Sequence, residues 1–99
     1  MQVDASANAL KHALDVADLR HGLLAGNLAN LNTSGYARAD LDFEAALKDE
    51  AGTPQSHVQR QGAPNLVAET GDMAANDSFY MACARLLSMQ YQNLRQSLK

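Results

Sequence analysis

The fold is decided by the stretch LKHALDVADLRHGLLAGNLANL, residues 10–31. Its apolar residues follow alternating steps of four and three, the heptad pattern of a helix that packs along one seam. The seam comprises Leu10, Leu14, Ala17, Leu24, Leu28 and Leu31. His21 is its only polar interruption. The pattern predicts a helix over residues 6–31, softened by Gly22 and Gly26, each of which costs about 1 kcal/mol relative to Ala.

A second stretch near the C-terminus shows the same alternation. Its seam comprises Met73, Tyr80, Ala84, Leu87, Tyr91, Leu94 and Leu98, and Asp77 is the exception. It predicts a helix over residues 72–98, and each helix would be about 40 Å long. Because heptad seams favour left-handed pairing, we predict a mainly α fold in which the two terminal helices form a coiled-coil-like unit.

The middle of the chain carries different signals. Residues 32–35, Asn-Thr-Ser-Gly, are typical of a turn, and we expect Gly35 to take a positive φ. A short amphipathic piece that could cover the helix pair follows, marked by Leu41, Phe43, Ala46 and Leu47. Residues 52–65 contain both prolines and few apolar residues, which predicts an exposed loop. We therefore predict one structural domain with three parts, residues 1–35, 36–71 and 72–99.

Composition argues against several classes of function. The net charge of −3 and pI near 5.4 give no basic surface for nucleic acid. No apolar run approaches the ~20 residues that cross a bilayer, and the first residues lack the features of a cleaved secretory signal. A single cysteine, Cys83, forms no internal disulfide, and the three histidines show no metal-ligand spacing. We expect no metal, no cofactor and no small-molecule substrate.

Residues that could carry chemistry have simpler interpretations. Five carboxylates are crowded between residues 40 and 50, but their spacing is not that of a calcium loop, and we interpret them as a solvated acidic surface. His21 could titrate near neutral pH, although a packed or rim position is the commoner role. Cys83 would need an activating base to be a nucleophile, and we interpret it as a small core residue. The sequence predicts no enzyme and no catalytic residue.

One segment resembles a known family. Residues 27–36, NLANLNTSGY, are similar to the N-terminal motif of flagellar rod, hook and hook-associated proteins. The motif residues are Asn27, Asn30, Asn32, Gly35 and Tyr36, and from their chemistry alone the asparagines are expected to cap the helix and form the turn. Residues 37–47, ARADLDFEAAL, look like the segment typical of proximal-rod members of the FlgB type. The closing helix, with Met73 to Asn76, Tyr80 and Leu86 to Ser88, also resembles the family.

This resemblance implies a structural subunit of the bacterial flagellar basal-body rod. It implies export by the flagellar type III apparatus without a cleaved signal, and assembly of the terminal helices into a hollow periplasmic rod for motility. Implied partners are other copies, other rod proteins, the rod-to-membrane-ring adaptor, the membrane-ring protein and the export apparatus. Ser34 stands where this subfamily usually has proline, and the middle segment is shorter than is typical. The alternative is a small cytoplasmic coiled-coil adaptor or secretion chaperone.

The seams also predict how such a subunit would assemble. Two helices with one apolar stripe each bury too little surface to offset an ordering entropy of about 1 to 2 kcal/mol per residue. We therefore expect neighbours to complete the core, so that folding is coupled to assembly. Leu24, Leu28, Leu87, Tyr91 and Leu94 are expected to contribute most to these contacts.

Overall fold

The computed structural model describes residues 2–98, and side chains from Ala5 onward. Two long helices, α1 (Gln2–Ala29) and α3 (Leu66–Ser97), stand at the ends of the chain. Between them lie strand β1 (Ala39–Leu41), helix α2 (Phe43–Lys48), a 3-10 turn (Pro54–His57) and strand β2 (Val58–Arg60). The protein is therefore mainly helical, as the sequence predicts, with long helices at both ends.

The two long helices lie side by side and run in opposite directions. Contacts between them join Asn27 to Glu69 near one end, Ala17 to Asn76 further along, and Lys11 to Tyr91 towards the other end. Both helices begin earlier than predicted, at Gln2 instead of residue 6 and at Leu66 instead of residue 72. They also end slightly earlier, at Ala29 and Ser97. Helix α1 continues unbroken through both of its glycines.

The early start of α3 has a local cause in its cap. The side chain of Asn65 accepts a hydrogen bond from the backbone N–H of Ala68, and Glu69 accepts one from the backbone N–H of Asn65. This reciprocal arrangement satisfies N–H groups that a helix start leaves unpaired. The helix therefore begins directly after Asn65, within the segment predicted to be a connection.

The middle segment folds into a thin layer over the helix pair, which we call the covering layer, residues 36–60. Its two strands pair antiparallel, with Ala39 opposite Arg60 and Leu41 opposite Val58. The exposed loop predicted over residues 52–65 is therefore partly wrong, because this segment supplies the 3-10 turn and strand β2. The prediction failed because β2 has only three residues and takes its order from pairing with β1 rather than from apolar periodicity.

The hydrophobic core lies between α1 and the covering layer. Val16, Leu41 and Ala46 form its buried centre, and partly buried neighbours are Leu19, Leu23, Phe43, Leu47 and Val58. Phe43 also meets Phe79 of α3 edge to face, with ring centroids 5.1 Å apart. Nε2 of His12 lies 2.7 Å from the carbonyl oxygen of Ala46, and this contact joins α1 to α2. The amphipathic piece predicted to cover the helices therefore does so.

The covering layer reaches only part of the helix pair, which divides the molecule into two halves. The covered half consists of residues 12–83. The bare half consists of residues 2–11 of α1, residues 84–97 of α3 and the following Leu98, and only two helices lie together there. The molecule measures 59 × 24 × 15 Å, and its radius of gyration of 16.1 Å exceeds the ~13 Å of a compact chain of this length. The elongated shape leaves much of the bare half open to contact.

Candidate functional site

A buried polar cluster holds the motif segment against the start of α3. We call it the polar clasp, formed by Arg20, Asn27, Arg38, Asp40 and Glu69. Asn27 is fully buried and pairs with both backbone groups of Ala39: its Oδ1 accepts from the N–H at 2.9 Å and its Nδ2 donates to the carbonyl at 2.7 Å. The interpretation of Asn27 as a helix cap is therefore wrong, because its amide pairs with strand β1 instead.

Glu69 is the centre of the polar clasp. Its buried carboxylate accepts hydrogen bonds from Nε and Nη2 of Arg38 at 2.9 and 2.8 Å, and from Nδ2 of Asn27 at 2.9 Å. The hydrogen bond from Arg38 holds the pKa of Glu69 at about 2, although burial opposes this. The same pairing raises the pKa of Arg38. Both groups are therefore charged at neutral pH, and their bidentate geometry fixes β1 relative to α3.

Asp40 extends the clasp to α1. Arg20 donates to both of its carboxylate oxygens, at 2.9 and 3.1 Å. Burial opposes ionisation of Asp40, but the hydrogen bonds from Arg20 and from the backbone of Leu41 outweigh it and lower its pKa. The interpretation of the carboxylates at residues 40–50 as one solvated surface is therefore only partly right.

The other carboxylates of that segment have separate roles. Asp42 caps α2, and Asp49 lies 2.9 Å from Nε2 of His57. Glu44 pairs with Lys48 on the surface, and Glu50 is exposed. The carboxylates of this segment thus form one partly buried ion pair, one helix cap and contacts nearer the surface.

The turn after α1 is built as the sequence predicts. Asn30 donates from Nδ2 to the carbonyl of Gly26 at 2.8 Å, so it satisfies one of the last helical carbonyls, and it accepts from the hydroxyl of Thr33. Gly35 has a φ of 75°. Asn32 is exposed, whereas Tyr36 is partly buried with its ring beneath the guanidinium of Arg60. The turn therefore directs the chain back along α1 into strand β1.

The innermost row of α3 differs from the predicted seam. Its buried residues are Glu69, Asn76 and Cys83, which are spaced seven residues apart. This row is polar or small, so counting apolar residues did not find it. Asn76 donates to the carbonyl of Ala17 at 2.8 Å, as close packing of the two helices allows. The residues of the predicted seam flank this row.

The predicted seam residues therefore have different environments. Leu24 is fully buried inside the chain, so the expectation that it contacts a neighbouring subunit is wrong. Leu10, Leu14, Leu28, Leu31, Met73, Leu87 and Leu94 are partly buried. Tyr80, Tyr91 and Leu98 keep 41%, 43% and 78% of their surface exposed. Much apolar seam surface is thus unused within one chain.

The two exceptions in the predicted seams meet each other. Nδ1 of His21 lies 3.1 Å from Oδ1 of Asp77, and both side chains are about half exposed. They border a cleft of about 230 Å³ that is also lined by Ala17, Asp18, Asn76 and Tyr80. We call it the acidic cleft. Oδ1 of Asn76 is buried and has no hydrogen-bond partner among the described residues.

A second depression lies between the helices, mostly in the bare half. It has a volume of about 370 Å³ and is lined by Leu14, Ala84, Leu87, Ser88, Tyr91, Gln92 and Arg95. We call it the apolar groove. Nearby on α3, Leu86 and Met89 are each half exposed. The bare half therefore presents both a groove and exposed apolar side chains.

The described residues offer little for catalysis. Cys83 is buried, and burial raises the pKa of its thiol, as expected of a core residue. No group of three or more potential ligands among residues 2–98 is placed to hold a metal ion. No helix in the described part of the chain is long and apolar enough to cross a membrane.

Comparison with known proteins adds no relative. No protein-family model matches the chain, and a search of curated proteins gives no significant match.

Proposed function

We propose that this protein is a structural subunit of the bacterial flagellar basal-body rod, and that it assembles through its terminal helices into the hollow proximal rod. The observation that carries the proposal is the bare half, where two long helices pack only on each other and keep large apolar side chains exposed. Apolar surface of this kind in a small protein is typical of an interaction site. The motif resemblance at residues 27–36 indicates which assembly it would serve.

The contrast between the two halves supports an assembly role. The polar clasp and the core hold the motif segment to both helices, so the covered half is ordered by its own contacts. Among the described side chains of the bare half, Ala7 is the one buried apolar residue, and the seam residues Leu87, Tyr91 and Leu94 keep surface available. Neighbouring subunits that supply coiled-coil-like contacts to these seams would complete its packing.

The proposal places the protein in the periplasmic rod, reached by type III export without a cleaved signal. Its partners there would be other copies, other rod proteins, the rod-to-membrane-ring adaptor and the membrane-ring protein. A long, thin subunit with few stabilising contacts at one end also suits passage through a narrow export channel. These roles require helix contacts and no catalytic residue.

The test is to locate the protein in intact basal bodies. Cells lacking the gene should be non-motile and should lack completed rods, and a reconstruction of basal bodies from complemented cells should contain the helix pair in the proximal rod wall. The variant Leu87→Asp should be exported without completing rods, since a charge buried in a seam costs several kcal/mol. Val67→Asp makes the same change at a residue with 79% exposure and should complement. Absence of the protein from the rod would reject the proposal and favour the cytoplasmic adaptor.

A further inference from the structure

Charge is divided between the two halves of the molecule. In the sequence, residues 1–11 and 84–99 contain four basic residues, Lys11, Arg85, Arg95 and Lys99, against one acidic residue, Asp4. Residues 12–83 hold ten acidic residues against four basic ones. The formal charges are therefore +3 and −6, which sum to the net charge of −3. Opposite formal charges favour a contact between the bare half of one molecule and the covered half of another.

Each half also has a depression, one lined by an arginine and the other by two aspartates. The apolar groove of the bare half has leucine and tyrosine walls, with Arg95 as its charged lining residue. No carboxylate of the described residues lines it. Arg95 is exposed and takes part in no salt bridge among the described residues. The groove thus combines an apolar surface with an available guanidinium.

The acidic cleft of the covered half offers acceptors. Asp18 and Asp77 line it, and Asp18 is exposed without a salt bridge to any described residue. Asn76, which is only 2% exposed, lines the same cleft. The ring of Tyr80 supplies an aromatic wall, which favours a cation over its face. Carboxylates beside an aromatic ring suit a guanidinium, which presents five donors and stacks on such rings.

We propose that the apolar groove of one copy docks on the acidic cleft of a second copy, with Arg95 of the first beside Asp18 and Asp77 of the second. This inference rests on the proposed function, because it names one partner of the assembly surface. The contact joins two different surfaces of the same chain, so each copy can offer its groove to one neighbour and its cleft to another. Such heterologous contacts build rings or open helical assemblies.

The test is reciprocal charge reversal in the purified full-length protein. Sedimentation velocity should show self-association that weakens when NaCl rises from about 50 to 500 mM, because salt screens exposed charges. Arg95→Glu and Asp18→Arg should each weaken association about ten-fold or more, since each places like charges together. An equimolar mixture of the two variants should recover association, because the reversed groove then meets the reversed cleft.

Matched variants separate this contact from a general effect of net charge. Arg85→Glu makes the same change as Arg95→Glu on α3 outside the groove, and Glu50→Arg reverses an acidic residue outside the cleft. Both should associate within about two-fold of the unmodified protein, because neither residue lines the contact. Recovery in the mixture together with near-normal controls would establish the contact. A monomer at all concentrations, or a mixture as weak as its components, would overturn it.

This outcome is distinguishable from that of the proposed function. Self-association is measured on purified protein, whereas the proposed function is tested by the position of the subunit in basal bodies. If the protein is found in the rod but the mixture does not recover, this contact is wrong and the proposed function stands. If the mixture recovers but the protein is absent from basal bodies, the proposed function is wrong and the contact belongs to another assembly.

Discussion

The covered half and the bare half use the same two helices in different ways. In the covered half, α1 and α3 are joined by a buried polar clasp, and a core of apolar side chains packs beneath the covering layer. In the bare half the helices have only each other, and Ala7 is the one apolar side chain buried among the described residues there, whereas large apolar side chains are exposed in both halves. The difference teaches that helix content alone does not measure how completely a chain of this size is folded. One end has its own core, and the other end has surface that a neighbour can cover.

The largest effect on stability is expected from truncation of a core leucine in the covered half. Leu24→Ala removes a fully buried side chain and should lower the free energy of unfolding by about 3 kcal/mol. Leu98→Ala, at a residue 78% exposed, should change it by less than about 0.5 kcal/mol. Urea unfolding followed by circular dichroism measures both. Equal losses for the two variants would show that the halves do not differ as described.

The second-largest loss of stability is expected when the polar clasp is broken. Glu69→Gln leaves Arg38 without its buried ionic partner, although the guanidinium is a quarter exposed and keeps a contact to Asp40. We therefore expect a loss of about 2 kcal/mol, below the 3 to 5 kcal/mol seen when fully buried pairs are broken. Glu50→Gln, at an exposed carboxylate, is the matched control and should be neutral. A neutral result for Glu69→Gln would mean that the clasp contributes little to stability.

The contribution of the polar clasp to stability should fall over a defined range of acidic pH. The pKa of Glu69 falls from an ordinary value of 4.5 to about 2, so the unfolded chain binds the proton more tightly than the folded one. The stability from this group is complete above pH 4.5 and is lost as pH falls towards 2. Asp40 acts in the same direction because its pKa is also lowered.

Chemical unfolding at a series of pH values should therefore show stability that declines below about pH 5. The decline should be shallower in Glu69→Gln, which has no proton to bind at this position. An unchanged slope in that variant would contradict the assignment of Glu69.

The smallest effect is expected at the turn. Gly35 has a φ of 75°, and an added Cβ there would meet no atom within 4 Å beyond its two chain neighbours, so a substitution is opposed by backbone strain and not by crowding. Gly35→Val should cost about 1 to 2 kcal/mol, and Gly35→Asn less, because asparagine adopts this conformation more readily. Thermal melts of the two variants make the comparison. A valine variant as stable as the asparagine variant would refute the role of this turn.

The sequence predicted the parts of the fold that depend on local spacing. Heptad steps identified both helices, and the Asn-Thr-Ser-Gly turn identified the positive φ of Gly35. The polar clasp was not predictable in this way, since Asn27 and Glu69 are 42 residues apart and each has a common local interpretation. A cap signal was nevertheless present, because Asn65 precedes Glu69 by one helical turn. It would have placed the start of α3 correctly.

The helix surfaces were only partly predictable, because their contacts also depend on how the two helices pack together. The inner row of α3 consists of Glu69, Asn76 and Cys83, so an apolar count selected its neighbours instead. The pairing of His21 with Asp77 combines two residues that each interrupted a different seam. Only the packing of one helix on the other brings these groups together. Contacts between two helices leave no recognisable pattern in the sequence of either helix alone.

Hydrogen exchange along α3 tests the difference between the halves most directly, because one continuous helix crosses both. In the dilute purified subunit, amides of residues 84–97 should exchange much faster than those of residues 70–83, since few buried contacts hold the bare half. The fast amides should become protected in the assembled state. Equal protection of both segments in dilute solution, with no change on assembly, would contradict the claim that neighbours complete the bare half.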